Sequence, residues 1–154
     1  MVGTDKEFTL NLLLKAAPAA IYSAVATRSG IASWWTTHTD YDDRTGSIAH
    51  MQFPDNGFHA RMKVVAREPN SLVRWHCVDA SHPPETGFSD LKDWTGTEVS
   101  FEIKPVTDNE SKLVFTHAGL APLECHDICS RIWAFYIGTS LKSLVETGTG
   151  QPHQ

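Results

Sequence analysis

The residues of this chain that could do chemistry fall in three places. Cys125-His126-Asp127-Ile128-Cys129, with His117 a short way upstream, sets thiols and imidazoles close together, the donor types that zinc prefers. On a helix Cys125 and Cys129 share one side, whereas His126 is turned about 100° from Cys125, and no Cys-x-x-Cys pair stands elsewhere. Structural thiols are therefore expected, with no metal and no cofactor. A disulfide between the two is disfavoured, because i,i+4 Cβ atoms stand ~5–6 Å apart and a bridge wants ~3.8 Å. With Cys77 the cysteines number three, and reduced thiols in a cytoplasmic protein are the simplest account of the odd count.

The second place is Asp79, which falls by alternation on the face of Val73, Trp75 and Cys77, opposite Arg74 and His76. An inward carboxylate at a strand end is partly buried, which raises its pKa and suits it to proton transfer. Accepting hydrogen bonds from a loop is the competing role. The third is His117, which shares a face with Leu113 and Phe115 and so points inward. A buried neutral imidazole needs a partner for each ring nitrogen; it can tie strand to helix, touch a ligand, or carry a proton. Asp79 and His117 are the pair to nominate for acid–base catalysis, and neither belongs to a motif. Serine-hydrolase signatures, phosphate-binding glycine loops and dinucleotide fingerprints are missing. Asp40-Tyr41-Asp42-Asp43 opens like a calcium loop but lacks the Gly and distal Glu that should follow, so it reads as a solvated turn or edge strand.

The elements that must position these groups are legible from periodicity. Phe8 to Leu14 alternates as a half-buried strand, Pro18 opens a helix over 19–27 that Gly30 ends, and 31–35 reads as a second short helix. Strands are expected over 40–43, 46–53, 58–68, 71–80, 96–106 and 111–119, joined by turns such as Glu68-Pro69-Asn70-Ser71. His82-Pro83-Pro84 opens a polar loop that runs to Trp94, long enough to be a lid or a mobile segment. From Glu124 to Thr147 a wide apolar stripe, Ile128 to Val145, marks a long helix, after which Gly148-Thr149-Gly150 stops it and the tail should fray. One strand, two short helices, six strands and a long helix make an α+β domain in which the helix lies on a curved antiparallel sheet.

Composition agrees and narrows the partners. The chain has 154 residues, 41% of them apolar, which fits one domain over 1–154 with a core that needs no metal or disulfide. Its 13 basic and 18 acidic residues give a net charge of −5, which argues against nucleic acid as a partner. No apolar run reaches the ~18 residues of a membrane span. The start imitates a signal peptide, but Asp5, Glu7 and Lys15 fall where one would not have them.

Taken in order, five segments carry a resemblance. They are Pro18-Ala19-Ala20-Ile21-Tyr22-Ser23-Ala24 leading into Ile31-Ala32-Ser33-Trp34-Trp35-Thr36; Leu72-Val73-Arg74-Trp75; Trp94-Thr95-Gly96-Thr97-Glu98-Val99-Ser100-Phe101; Leu113-Val114-Phe115-Thr116-His117-Ala118-Gly119-Leu120; and Trp133 with Leu141-Lys142-Ser143-Leu144. The chain resembles the START-like (Bet v 1-like, SRPBCC) superfamily, and within it proteins similar to the activator of Hsp90 ATPase. The resemblance implies a seven-stranded helix-grip fold whose cavity, between sheet and C-terminal helix, often takes an apolar small molecule. It departs in one respect, since the eukaryotic activator carries a further N-terminal domain that does not fit in this chain. The aromatic residues expected between sheet and helix, Trp34, Trp35, Trp75, Phe101, Phe115, Trp133, Phe135 and Tyr136, with His117, would line such a cavity or fill it as core.

Three functions follow for test. The first is a non-enzymatic module that binds a small apolar or aromatic molecule. The second is an enzyme like the polyketide cyclases and aromatases of the superfamily, working through Asp79 and His117. The third is a protein-interaction role, as a homodimer or with an Hsp90-type chaperone, which would show as an apolar exterior patch.

Overall fold

The computed structural model describes residues 7–154; Asp5, used above in reading the start, lies outside them. β1 (Glu7–Leu14) alternates as expected, with Phe8, Leu10 and Leu12 half-covered between exposed neighbours and Leu14 fully buried. Pro18 opens α1 (Pro18–Ala26), its fixed φ suiting a first helical turn. The next helix begins earlier than its apolar residues suggest. Thr27 accepts a bond from Gly30 N at 3.0 Å and donates to Ser23 O at 2.7 Å, so one side chain closes α1 and starts α2 (Arg28–Ala32). Gly30 therefore lies inside α2 and does not end α1. A Cβ there would collide with Ser23 O and stand 2.7 Å from Ala24 Cα, so the two helices meet backbone to backbone. Trp34 and Trp35 fall beyond the end of α2 and turn into the core.

Six further strands complete one antiparallel sheet: β2 (Thr39–Asp40), β3 (Ile48–Phe53), β4 (Phe58–Glu68), β5 (Leu72–Ser81), β6 (Glu98–Thr107) and β7 (Glu110–Ala118). Its strand order is β1-β7-β6-β5-β4-β3-β2, so that β1 and β2, consecutive in sequence, form opposite edges. β2 is shorter than the 40–43 expected, because Tyr41 turns in to donate to Arg44 O at 3.1 Å and Asp43 takes a left-handed φ of 61°.

The sheet bends at irregularities between β4 and β5, where the register shifts at Arg61/Met62 and again at Val64/Ala66. At the first of these Val78 is the unpaired residue, for Met62 opposes Cys77 and Arg61 opposes Asp79. Every side chain of β5 beyond it changes face. Val73, Trp75 and Cys77 are buried before the bulge, whereas Ala80 and then His82 are buried after it.

The C-terminal helix runs without a break through α3 (His126–Phe135), a wider π-helical stretch (Tyr136–Leu141) and α4 (Lys142–Thr147). The wide turn buries Ile137, Ser140 and Leu141 together, and Ser140 Oγ donates to Trp34 O at 2.7 Å. The tail does not fray as expected. After Gly148, at φ 91°, the chain doubles back: His153 N bonds Trp35 O and its carbonyl accepts from Thr37 N, both at 2.9 Å, while Gln151 N bonds Ser140 Oγ at 2.7 Å. Three backbone and hydroxyl partners thus hold what composition alone leaves loose.

Candidate functional site

Where sheet and helix face each other most closely, rings fill the space. Neighbouring strands deliver Trp75, Phe101 and Phe115 side by side, with ring centroids 4.9 Å and 5.4 Å apart. Trp35 stacks on Trp34, Trp75 and Trp133 at 5.9, 5.7 and 5.1 Å. Trp133 in turn stacks on Trp94 at 5.7 Å, so all five tryptophans belong to one connected cluster. Trp34, Trp75, Phe101 and Phe115 are fully buried and do not line the cavity at one end of the helix.

His117 belongs to that packed centre, with both nitrogens engaged. Thr97 Oγ1 donates to Trp94 O at 2.6 Å, so it accepts from His117 Nε2–H at 2.8 Å. The other nitrogen, Nδ1, accepts the Trp133 indole N–H at 3.0 Å. These bonds define a neutral Nε2–H imidazole, and burial holds its pKa down to about 3. A ring so placed ties β7 to the helix and has no nitrogen left to exchange a proton.

Asp79 lies elsewhere. The bulge at Val78 turns it away from the interior, its side chain is 37% exposed, and its carboxylate accepts from Lys92 Nζ at 2.8 Å. The Lys92 bond holds its pKa below the usual carboxylate range, the reverse of the upward shift expected for an inward acid. Asp79 and His117 are therefore not a pair.

A cavity of about 290 Å³ opens at one end of the helix, under the loop that follows β5. Of the residues expected in a cavity wall, Trp35, Trp133 and Tyr136 line it; the rest of the wall is Phe53, Asn56, Phe58, His82, Pro83, Thr86, Phe88, Trp94, Ile128, Cys129 and Ile132. The loop forms one wall because it is fastened at both ends: His82 N bonds Leu91 O, and Ser89 N bonds Glu124 Oε1, each at 2.7 Å. Its apolar contribution, Phe88 edge-on to His82 at 5.1 Å, comes from a segment without a period, and Phe58, the first residue of β4, stands edge-on to Trp94 at 5.0 Å. Aromatic residues scattered through an otherwise polar loop were the available signal. Phe135 is turned outward instead, and with Ile128 and Ile132 it makes an exposed row of 40%, 44% and 45% at the cavity mouth.

At the floor the loop also brings His82 to Cys125 and Cys129, which the helix presents one turn apart. His82 Nε2 meets Asp93 Oδ1 at 2.8 Å, both side chains being buried. Burial alone would lower the His82 pKa, but the Cys125 thiol and the Asp93 carboxylate beside it leave it raised. His126, which helical spacing turns about 100° from Cys125, faces Asp127 and stands edge-on to Phe8 at 6.3 Å.

A curved seven-stranded antiparallel sheet closed on a C-terminal helix, with short helices after the first strand and a cavity at the helix, is the helix-grip architecture of START-like, Bet v 1-like proteins. Within that class the chain belongs to the family of Activator of Hsp90 ATPase homolog 1-like proteins, whose model matches residues 15–146. It is similar to the Aha1 dimer from Colwellia psychrerythraea, solved in solution, at 30% identity over 94% of this chain and 98% of that one, with a TM-score of 0.74. Protein MLL2253 from Mesorhizobium loti shares the fold at 19% identity, 90% and 95% coverage and a TM-score of 0.71. DynU16, from the dynemicin biosynthetic locus, does so at 16% identity, with 94% of this chain matching 49% of that one and a TM-score of 0.70. No curated protein matches the chain. No helix among the described residues is long and apolar enough to cross a membrane.

Proposed function

We propose that the chain is a small-molecule binding module, holding an apolar or aromatic molecule, lipid-like ones included, in the cavity under the 82–94 loop. The observation that carries this reading is the cavity itself. Its volume of about 290 Å³ sits at the lower end of ligand pockets, which run ~300–1,000 Å³, and its wall is mostly rings and branched aliphatics. The few polar groups in that wall, His82, Asn56 and Thr86, would orient a ligand without dominating its affinity. The family supports the same reading, since its fold is of the ligand-binding type. A cyclase-like mechanism has less to stand on, because the two groups nominated for proton transfer are apart and one is saturated.

Native mass spectrometry of gently purified protein, followed by a thermal-shift screen of lipids and aromatic metabolites, tests the proposal. The expected result is a bound mass, or a melting rise from one apolar class, that Tyr136→Ala or Phe58→Ala diminishes. Apo protein throughout, with no melting change from any library member, would overturn it.

The exposed row of Ile128, Ile132 and Phe135 favours a second reading, a protein contact. The partner would be a second copy, as the Colwellia relative is a dimer, or an Hsp90-type chaperone. Sedimentation velocity of the wild type against Ile132→Ser decides the first, and turnover of the chaperone ATPase with and without the chain decides the second.

A further inference from the structure

His82, from a distant part of the chain, converges on Cys125 and Cys129 with the ligand atoms of all three within 4.8 Å of one another, all three residues buried. Two of them, His82 and Cys129, also line the cavity. Two sulfurs and one imidazole nitrogen are the donor set that zinc-class ions select over calcium or magnesium. We propose that these three side chains form a binding site for one thiophilic divalent cation of the zinc class, open on the cavity side for a fourth donor.

The distances suit the chemistry. With bonds of ~2.3 Å to sulfur and ~2.0–2.1 Å to nitrogen, tetrahedral geometry puts neighbouring ligand atoms ~3.5–3.8 Å apart. From separations of up to 4.8 Å the cluster needs to contract by ~1.3 Å at most, which is within the reach of side-chain rotation. The histidine is already oriented for the task. Asp93 Oδ1 engages His82 Nε2 at 2.8 Å, leaving Nδ1 as the nitrogen for the ion. A carboxylate on the far nitrogen of a ligating histidine fixes its tautomer and raises its basicity. The second carboxylate oxygen, Asp93 Oδ2, is buried with no hydrogen-bond partner among the described residues, so among them the His82 imidazole alone is bonded to balance this carboxylate. A cation next to that imidazole supplies the balance.

Rival uses of the same cluster fit less well. A nucleophilic cysteine needs a depressed pKa, whereas the Cys129 thiol beside it, and then burial, push the Cys125 thiol upward. A Cys125–Cys129 disulfide has to distort the first turn of α3, where Cys129 N bonds Cys125 O at 2.7 Å. Metal binding requires only that the ion displace two thiol protons, giving a dithiolate complex and two protons released to solvent. Affinity accordingly rises with pH.

Cobalt(II) titration of the reduced full-length chain under anaerobic conditions, followed by zinc competition, is the test. Expected are a thiolate-to-cobalt charge-transfer band and visible bands of tetrahedral intensity, saturating at one equivalent and bleached by zinc. Cys129→Ser and His82→Gln should each weaken the ion at least about 10-fold, and Asp93→Asn about 10–100-fold. Near-UV circular dichroism checks that each variant is folded. Should Cys125→Ser or His82→Gln fail to fold, a zinc-induced rise in the wild-type melting temperature, reversed by chelator and absent in Cys129→Ser, gives the same reading. No charge-transfer band and no zinc-dependent melting rise in the folded, reduced protein overturns the proposal. So does a band in Cys129→Ser that saturates at the wild-type cobalt concentration with the wild-type intensity, which would place the ion at other ligands. Neither result bears on whether the cavity takes an organic molecule, since no such molecule enters the experiment.

Discussion

The centre of the molecule and the end under the loop are built from the same kinds of residue, yet one is solid and the other hollow. In the centre the rings of Trp75, Phe101 and Phe115 project from consecutive strands, and strands in a sheet stand ~4.8 Å apart whatever their sequence. Rings placed at that spacing have to touch. At the other end Phe58, Phe88 and Trp94 come from a hairpin tip and a loop, whose path imposes no spacing, and about 290 Å³ stays open between them and α3. Whether an aromatic residue is core or pocket wall is decided by what carries its backbone. The two regions should therefore answer mutation differently, the centre in stability and the end in binding.

The largest effect belongs to the centre. Phe115→Ala removes a fully buried ring between Phe101 and Trp133, with centroids 5.4 and 4.6 Å away. Urea denaturation should show a loss of about 3–5 kcal/mol with an unchanged m-value. A loss below about 1 kcal/mol would mean that the centre is not close-packed, and the contrast would fail.

Next comes the pH response of the same region. His117 has a folded pKa of about 3 against an ordinary value of 6.5, so the folded state binds fewer protons than the unfolded state between those limits. Stability from the neutral ring is complete above pH 6.5 and is lost as pH falls toward 3, by at most about 1.4 kcal/mol per pH unit. His50, whose pKa is lowered chiefly by burial, acts in the same sense, and His82, whose pKa is raised, in the opposite one. The difference in unfolding free energy between wild type and His117→Gln, followed from pH 7 to 5, isolates the His117 part. A flat difference would contradict the saturated, neutral ring. Somewhat smaller is Thr97→Val, which keeps the shape but strips partners from His117 Nε2–H and Trp94 O; it should cost about 1–3 kcal/mol in the same denaturation assay. Thr97→Ser, retaining the hydroxyl, should recover most of it.

The two regions also differ in how much of them could be read beforehand. Trp75, Phe101, Phe115 and His117 lie on alternating strands, and a period of two is enough to face them inward. The same rule misplaces Asp79, because one unpaired residue, Val78, reverses the alternation, and bulges leave no mark in hydropathy. Periodicity faces Phe58 inward with Ala60 and Met62, but it has nothing to say about Phe88 or Trp94. The pairing of Cys125 and Cys129 is visible in their spacing, but their third companion is not, since His82 reaches them through a tertiary contact. His126, adjacent in sequence, is turned away from the thiols by helical spacing and in the structure alike. The tail misleads for a similar reason: His153 and Gln151 are held by partners near residues 35 and 140 rather than by any pattern of their own.

The smallest expected change in stability tests the hollow end most directly. Phe88 is only partly buried, and its loop is fastened independently by the His82–Leu91 and Ser89–Glu124 bonds. Removing the ring in Phe88→Ala therefore takes away one wall of the cavity without releasing the segment that carries it, and the cost in unfolding free energy should be about 1 kcal/mol or less. Binding should respond out of proportion, because a ligand loses a whole contact face that the folded protein hardly needs. The comparison to make is the ratio of two shifts for Phe88→Ala and Phe115→Ala: the change in unfolding free energy, and the change in affinity for whichever apolar compound raises the melting temperature of the wild type. If Phe88→Ala lowers stability as much as Phe115→Ala does, the loop is part of the core and the cavity is only a packing defect within it. If it weakens binding while stability barely moves, the ring is there for the ligand.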